Sequence, residues 1–159
     1  ADSHLRRTQV DAILVGTGTV LADNPTLTAR RPDGTLYEHQ PLRVVLGERE
    51  IPAGFNILNN HAPTLLLQTH DLNQALIQLY QQGVKHLWVE GGPQVASRFV
   101  AADLADEFVI YLAPILLGGP LTALGDVGVA SMAQAKNLKI AQTQTLGDDL
   151  LIVANRREN

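Results

Sequence analysis

Apolar residues along this chain come in short continuous runs, each bounded by glycine, proline or a polar cluster. The runs are Ala12-Ile13-Leu14-Val15, Leu42-Arg43-Val44-Val45-Leu46, Thr64-Leu65-Leu66-Leu67, a fourth over 86–89, and Glu107-Phe108-Val109-Ile110-Tyr111-Leu112. Such lengths between turn signals predict strands, several of them buried on both faces. Between the runs the period changes. Residues 71–82 place Leu72, Ala75, Leu76, Leu79 and Tyr80 on one helical face, with Gly83 as the stop. Val95, Ala96, Phe99 and Val100 repeat the helical spacing over 93–102. Gly16-Thr17-Gly18 opens a turn and a short helical piece that stops at Asn24-Pro25. Residues 29–41, rich in Arg, Pro and Gly, read as an exposed loop. At the end, strand-like runs at 138–145 and 150–155 meet through Gly147-Asp148-Asp149, a hairpin signal.

Strands alternating with helices and closed by a hairpin predict an α/β fold. Its sheet is mostly parallel with antiparallel additions, covered by helices on both faces. Such sheets bind ligands beyond the carboxyl ends of their strands. The turns at Gly16 and Glu90 both follow strands, so both border one expected crevice. Asp2 to Gln9 is polar and helix-compatible and reads as the last turns of a helix. With no initiator Met, the expectation is a fragment of a longer chain. No internal repeat or low-complexity tract is visible.

Composition narrows the classes. At 159 residues, 45% hydrophobic and 18% charged, the chain fits one soluble globular domain. A net charge of −4 argues against nucleic acid or an anionic membrane as partner. Zero cysteines exclude disulfides and thiolate metal sites and fit a reducing compartment. No apolar run approaches the roughly 20 residues of a membrane span and no signal peptide is visible, so a cytoplasmic location is expected.

The stretch richest in chemistry is Leu87-Trp88-Val89-Glu90-Gly91-Gly92-Pro93, a strand running into a tight turn and a helix. Glycines let backbone approach a ligand closely, and a helix start offers unpaired N–H groups to an anion. Pro93 suits the first helical position. Turns of this kind also serve only to reverse the chain, and the pattern alone leaves both readings open. Gly16-Thr17-Gly18 lacks the third glycine of a dinucleotide fingerprint, so a structural turn is its favoured reading. Arg7 and Arg30 offer planar, permanently charged forks for phosphate, against the common fate of a solvated arginine. Asp23 beside Asn24-Pro25 is explained as well by a capping or turn role. The five histidines are scattered and read as surface or structural residues. Ser97 has no nucleophile-elbow context, and Asp103, Asp106 and Glu107 read as a solvated loop face. Neither a metal site nor a covalent nucleophile is indicated.

Three blocks taken together go further. Residues 10–30, from Val10-Asp11-Ala12 through Thr17-Gly18-Thr19-Val20-Leu21-Ala22-Asp23-Asn24-Pro25 to Leu27 and Arg30, resemble the signature of the riboflavin-biosynthesis reductase family. So do Val89-Glu90-Gly91-Gly92-Pro93 and the stretch from Glu107 to Gly119, in matching order and spacing. The resemblance covers nearly the whole chain and is to the C-terminal half of the bacterial bifunctional deaminase–reductase. It implies a dihydrofolate-reductase-like, three-layer α/β/α fold over residues 1–159 as a single reductase domain. The implied activity is NADPH-dependent reduction of 5-amino-6-(5-phosphoribosylamino)uracil to the ribitylamino compound, with hydride going to the sugar C1′.

The same resemblance implies site residues. Thr19 and Asp23 contact the cofactor, together with Gly92, Pro93, Gln94, Val95, Ala96, Ser97 and Arg98 at the phosphate-binding turn and helix start. Arg7, Leu27, Arg30 and Glu90 form the substrate set, the arginines on the 5′-phosphate and Glu90 on ribityl hydroxyls. Asp23 is also the one catalytic candidate, orienting a water that supplies a proton to nitrogen. A homodimer is expected from the apolar run 107–117 and the family. Two departures stand out. The family's first strand and the deaminase half with its His/Cys zinc motif have no counterpart here, and residues 1–159 alone predict a damaged sheet and poor catalysis. The segment between Thr69 and Asp71 is also short for the family, a change that bears on cofactor contacts. The alternatives are a paralogous pyrimidine or pterin reductase of the same fold, and a non-catalytic nucleotide-binding member.

Overall fold

The computed structural model describes residues 2–120 and 122–157. The elements run α1 (Asp2–Arg7), β1 (Ala12–Gly16), α2 (Thr17–Asp23), β2 (Leu42–Leu46), β3 (Thr64–Leu67), α3 (Leu72–Gln81) and β4 (Leu87–Val89). They continue as α4 (Pro93–Ala101), β5 (Glu107–Leu112), β6 (Leu138–Leu146) and β7 (Asp149–Arg156). Each predicted strand and helix is present, with ends shifted by one or two residues. Two short 3₁₀ turns, Asn56–Leu58 and Met132–Gln134, had no sequence signal. The chain packs as two compact units, Ala1–Ala96 and Ser97–Asn159.

The first unit is built on a four-stranded parallel sheet in the order β3-β2-β1-β4. β1 lies inside it, and all five of its residues are buried, as a continuous apolar run requires. Ile13, Val15 and Val45 share one face and pack with Val20, Leu27 and Ile57, with Ile51, Phe55 and Trp88 beside them. Arg43 neighbours Ile13 in register on that face and is fully buried. Its guanidinium donates to carbonyls of Thr26 at 3.2 Å, Asn56 at 3.3 Å, Asn59 at 2.7 Å and Ala62 at 2.5 Å, and to Asn59 Oδ1 at 3.0 Å. Arg43 therefore straps two irregular segments onto the sheet, although its Nε finds no acceptor.

Local signals explain the helix ends. Asp71 caps α3 by accepting from the amides of Asn73 at 2.8 Å and Gln74 at 3.1 Å. Gly83, at φ +86°, ends it with the paired bonds Gly83 N to Tyr80 O and Val84 N to Leu79 O, a Schellman motif. α2 ends on Asn24 in the left-handed region, its amide donating to Val20 O. Residues 29–41 are less free than an exposed loop. Ala29 and Pro41 are buried, and the Gln40 amide closes the segment by pairing with both the N–H and C=O of Ala29 at 2.8 Å.

The second unit carries a three-stranded antiparallel sheet in the order β5-β7-β6. β6 and β7 form the predicted hairpin, turning through Gly147 and Asp148 with Gly147 at φ +66°. β7 is the inner strand and buries Leu151, Val153 and Ala154. The apolar run of 107–117 does not continue as a strand, for β5 ends at Leu112.

Candidate functional site

The carboxyl ends of β1, β2 and β4 converge on a set of glycine turns. A Cβ on Gly16 would stand 2.8 Å from a Val95 methyl, and one on Gly91 would stand 2.7 Å from Val95 Cβ. One on Gly47, itself at φ +128°, would stand 2.7 Å from Thr17 Oγ1. Only glycine allows these turns to approach one another so closely. Thr19, on α2, accepts from the Gly92 amide at 3.2 Å, tying the α2 turn to the start of α4. The structure thus joins Thr19, Gly92 and Val95, three of the expected cofactor contacts. Pro93, Gln94 and Ala96 follow in the first turns of α4. Asp23 is exposed, one turn along α2 from Thr19.

Ser97 and Arg98 need separate treatment. The Ser97 side chain is buried and accepts from the Gly125 amide at 2.7 Å, so its hydroxyl has a structural task. Arg98 is exposed in the last part of α4. Arg49 carries no signal in the sequence, yet its Nε lies 3.4 Å from Thr17 Oγ1 and its guanidinium abuts Gly18.

Beside the glycine turns, side chains from three distant segments form a second corner. Glu90, the residue after β4, takes a two-pronged ion pair from Arg7: Nε to Oε1 at 2.9 Å and Nη2 to Oε2 at 2.6 Å. Trp88 Nε1 also donates to Glu90 Oε1, at 2.9 Å. The third Arg7 nitrogen donates to Thr28 O at 2.9 Å. Arg30 Nε donates to Thr28 Oγ1 at 3.0 Å, and its Nη2 reaches Thr26 Oγ1. The Arg7–Glu90 pair is largely buried, yet two of the five guanidinium hydrogens stay uncommitted among the described bonds. Leu27 turns its side chain into the core and holds φ +50°, so what it offers a ligand is backbone.

His4, which the sequence alone presents as a surface or structural histidine, completes this corner. Its Nδ1 lies 3.1 Å from Thr28 O and 3.2 Å from the Arg30 amide. Burial, then the charges of Arg7 and Arg30, hold its pKa below the usual histidine value, against a raising contribution from the Thr28 carbonyl. A signal existed: His4 and Arg7 are three apart on one helix, hence on one face. Trp88 and Glu90 are likewise two apart, the spacing of one strand face.

The sequence model of the RibD C-terminal domain family matches residues 1–152. The chain belongs to that family. The Riboflavin biosynthesis protein RibD of Mycobacterium tuberculosis is 46% identical over 151 residues, which is 95% of this chain and 44% of that protein. The chain thus spans less than half the length of that curated relative. The 2,5-diamino-6-ribosylamino-4(3H)-pyrimidinone 5′-phosphate reductase of Methanothermobacter thermautotrophicus is 31% identical over 176 residues, covering 94% of this chain and 81% of that one. Among solved structures, Acinetobacter baumannii RibD superposes with a TM-score of 0.87 at 27% identity, over 99% of this chain and 49% of that one. The fold is the dihydrofolate-reductase-like α/β fold of these reductases, with a parallel sheet and a C-terminal antiparallel hairpin. No helix among the described residues is long and apolar enough to cross a membrane.

Proposed function

We propose that this chain reduces a phosphorylated ribosylaminopyrimidine to its ribitylamino form in riboflavin biosynthesis, with NADPH as the electron source. One observation carries the reading. A guanidinium–carboxylate pair, Arg7–Glu90, stands directly beside the Gly91-Gly92 turn that Thr19 fastens to α2. Side chains suited to an anion and to hydroxyls, and backbone suited to a second anion, are thereby adjacent at the carboxyl edge of a parallel sheet, which supports the reading.

In this reading the Gly16 and Gly91-Gly92 turns, Thr19 and the first amides of α4 would hold the cofactor, which would supply the hydride for C1′ of the open-chain imine while the imine nitrogen takes its proton from water. The protein's own part is placement. Arg7 and Arg30 hold the 5′-phosphate, and Glu90, fixed by Arg7 and Trp88, accepts from sugar hydroxyls. Asp23 orients the water that delivers the proton.

The test is steady-state kinetics with the phosphoribosylaminouracil, the 2,5-diamino analogue and dihydrofolate, each with NADPH and NADH. Turnover of either phosphorylated pyrimidine, with none of dihydrofolate, is expected. Arg30→Ala should raise KM for that substrate at least about tenfold while changing the nicotinamide KM less than about twofold. Equal losses for both would remove the phosphate assignment. The same reading includes a homodimer, formed through the exposed Leu112, Ile115, Leu116 and Leu117. A monomeric mass by light scattering at micromolar concentration would count against that pairing.

A further inference from the structure

The His4 imidazole meets two backbone groups through one nitrogen, and it can satisfy only one of them at a time. Nδ1 stands 3.1 Å from the Thr28 carbonyl, which needs a donor, and 3.2 Å from the Arg30 amide, which needs an acceptor. The two groups are not equally in need. Thr28 O already accepts from Arg7 Nη1 at 2.9 Å. The Arg30 amide has no other acceptor among the described hydrogen bonds. Arg30 pairs with Leu36 in a one-residue antiparallel bridge, and the bonds of that bridge are the flanking ones. Arg31 N donates to Thr35 O at 2.8 Å and Tyr37 N to Ala29 O at 3.1 Å, which leaves the Arg30 amide facing away from Leu36 and onto His4.

We infer that His4 is a positioning residue for the substrate corner: neutral and with a bare Nδ1, it accepts the Arg30 amide hydrogen and fixes the bend from which Thr28 and Arg30 project. The bend needs fixing. Leu27 sits at φ +50°, a region that a branched side chain enters only when its surroundings impose it. Arg43 holds the segment on one side of Leu27 through Thr26 O, and Arg7 and His4 hold it on the other through Thr28 and Arg30. The charged groups around His4 favour the neutral ring. Arg7 on its own helix and Arg30 on the facing segment are both cationic, and Glu90 is already taken up by Arg7. Protonation would turn Nδ1 into a donor and leave the Arg30 amide without an acceptor.

The kinetic arm rests on the proposed substrate, so two arms that need no substrate accompany it. Nitrogen-15 NMR of the imidazole at pH 7.5 should show His4 protonated at Nε2, and a proton on Nδ1 would overturn the assignment. Hydrogen exchange at the Arg30 amide should accelerate in His4→Ala and stay protected in His4→Asn, whose Oδ1 can accept from the same amide without titrating. Unchanged exchange in His4→Ala would sink the positioning role. In turnover, His4→Ala should raise KM for the phosphorylated pyrimidine about tenfold, with the nicotinamide KM and kcat little changed, and His4→Asn should restore it to within about threefold. Because burial and the charges of Arg7 and Arg30 hold the His4 pKa below the usual histidine value, wild-type KM should climb relative to that of His4→Asn as the pH falls through and below the ordinary imidazole range. The substrate phosphate titrates identically for both proteins, so their ratio reports His4 alone, and a flat ratio would refute the proposal. If the wild-type chain turned over neither pyrimidine, the reductase reading would fall while the NMR and exchange arms still decided the role of His4.

Discussion

The corner at Glu90 and the turn that follows it touch in sequence but are built from opposite materials. The corner is made of side chains: His4 and Arg7 from α1, Thr28 and Arg30 from the segment after α2, and Trp88 and Glu90 from the end of β4. The turn is made of backbone: Gly16 and Gly91 bring main chain against Val95 where a Cβ would not fit, and a Cβ on Gly92 would crowd Thr19 Oγ1 at 3.3 Å. A site of side chains depends on whatever holds its donor segments. A site of backbone depends on the absence of atoms. The two should therefore fail in different ways and in different measurements.

The largest effect is expected where the corner is anchored from beneath. Arg43→Met keeps an apolar stem in the core but leaves the Thr26, Asn59 and Ala62 carbonyls without their donor, while Asn56 O keeps only the Asn59 amide. Removing the buried cation recovers some desolvation, but the orphaned acceptors outweigh it, and the net loss should be about 3 kcal/mol. Urea unfolding measures it. The surviving folded protein should lose affinity for the phosphorylated substrate more than for NADPH, because Thr26 O is the hold on the 26–30 segment. A loss below about 1 kcal/mol would show that the 52–62 segment does not need this arginine.

Next comes the turn. Gly91→Ala places a methyl 2.7 Å from Val95 Cβ, a backbone-proximal atom that cannot swing aside, so the start of α4 must shift. Overpacking of this kind costs roughly 1–3 kcal/mol. The kinetic signature should be the reverse of the corner's: the NADPH KM rises and the substrate KM follows less. Matched rises in both constants would erase the division between corner and turn.

The same contrast explains what could be read from the chain. The turn was legible because its signal is local: Gly91-Gly92-Pro93 follows an apolar strand and opens a helical period, all within a dozen residues. The strands were legible for the same reason, down to the Asn24 and Gly83 stops. The corner was legible only in part. Family resemblance singled out Arg7, Arg30 and Glu90, but nothing in the string shows that Arg7 and Glu90, 83 positions apart, pair with each other. Arg43 sits inside an apolar run and reads simply as strand, because its five acceptors lie on segments with no period of their own. The five histidines are scattered along the string, and nothing local singles out His4. Spacing on a helix places it beside Arg7, but only the fold supplies the orphaned Arg30 amide that gives it a task.

The smallest expected effect lies outside both regions and fixes the baseline for the others. Asp71 caps α3 through the amides of Asn73 and Gln74, is exposed, and touches neither the corner nor the turn through any described hydrogen bond. Asp71→Ala should cost about 1 kcal/mol of stability, the usual worth of an N-cap. Both KM values and kcat should stay within error of wild type. If Asp71→Ala instead moved the NADPH KM as Gly91→Ala does, generic loosening of the first unit would explain both variants. The specificity claimed for the glycine turn would then rest on nothing. If it moved only the unfolding midpoint, any kinetic change in Gly91→Ala beyond it would belong to the 2.7 Å approach at Val95.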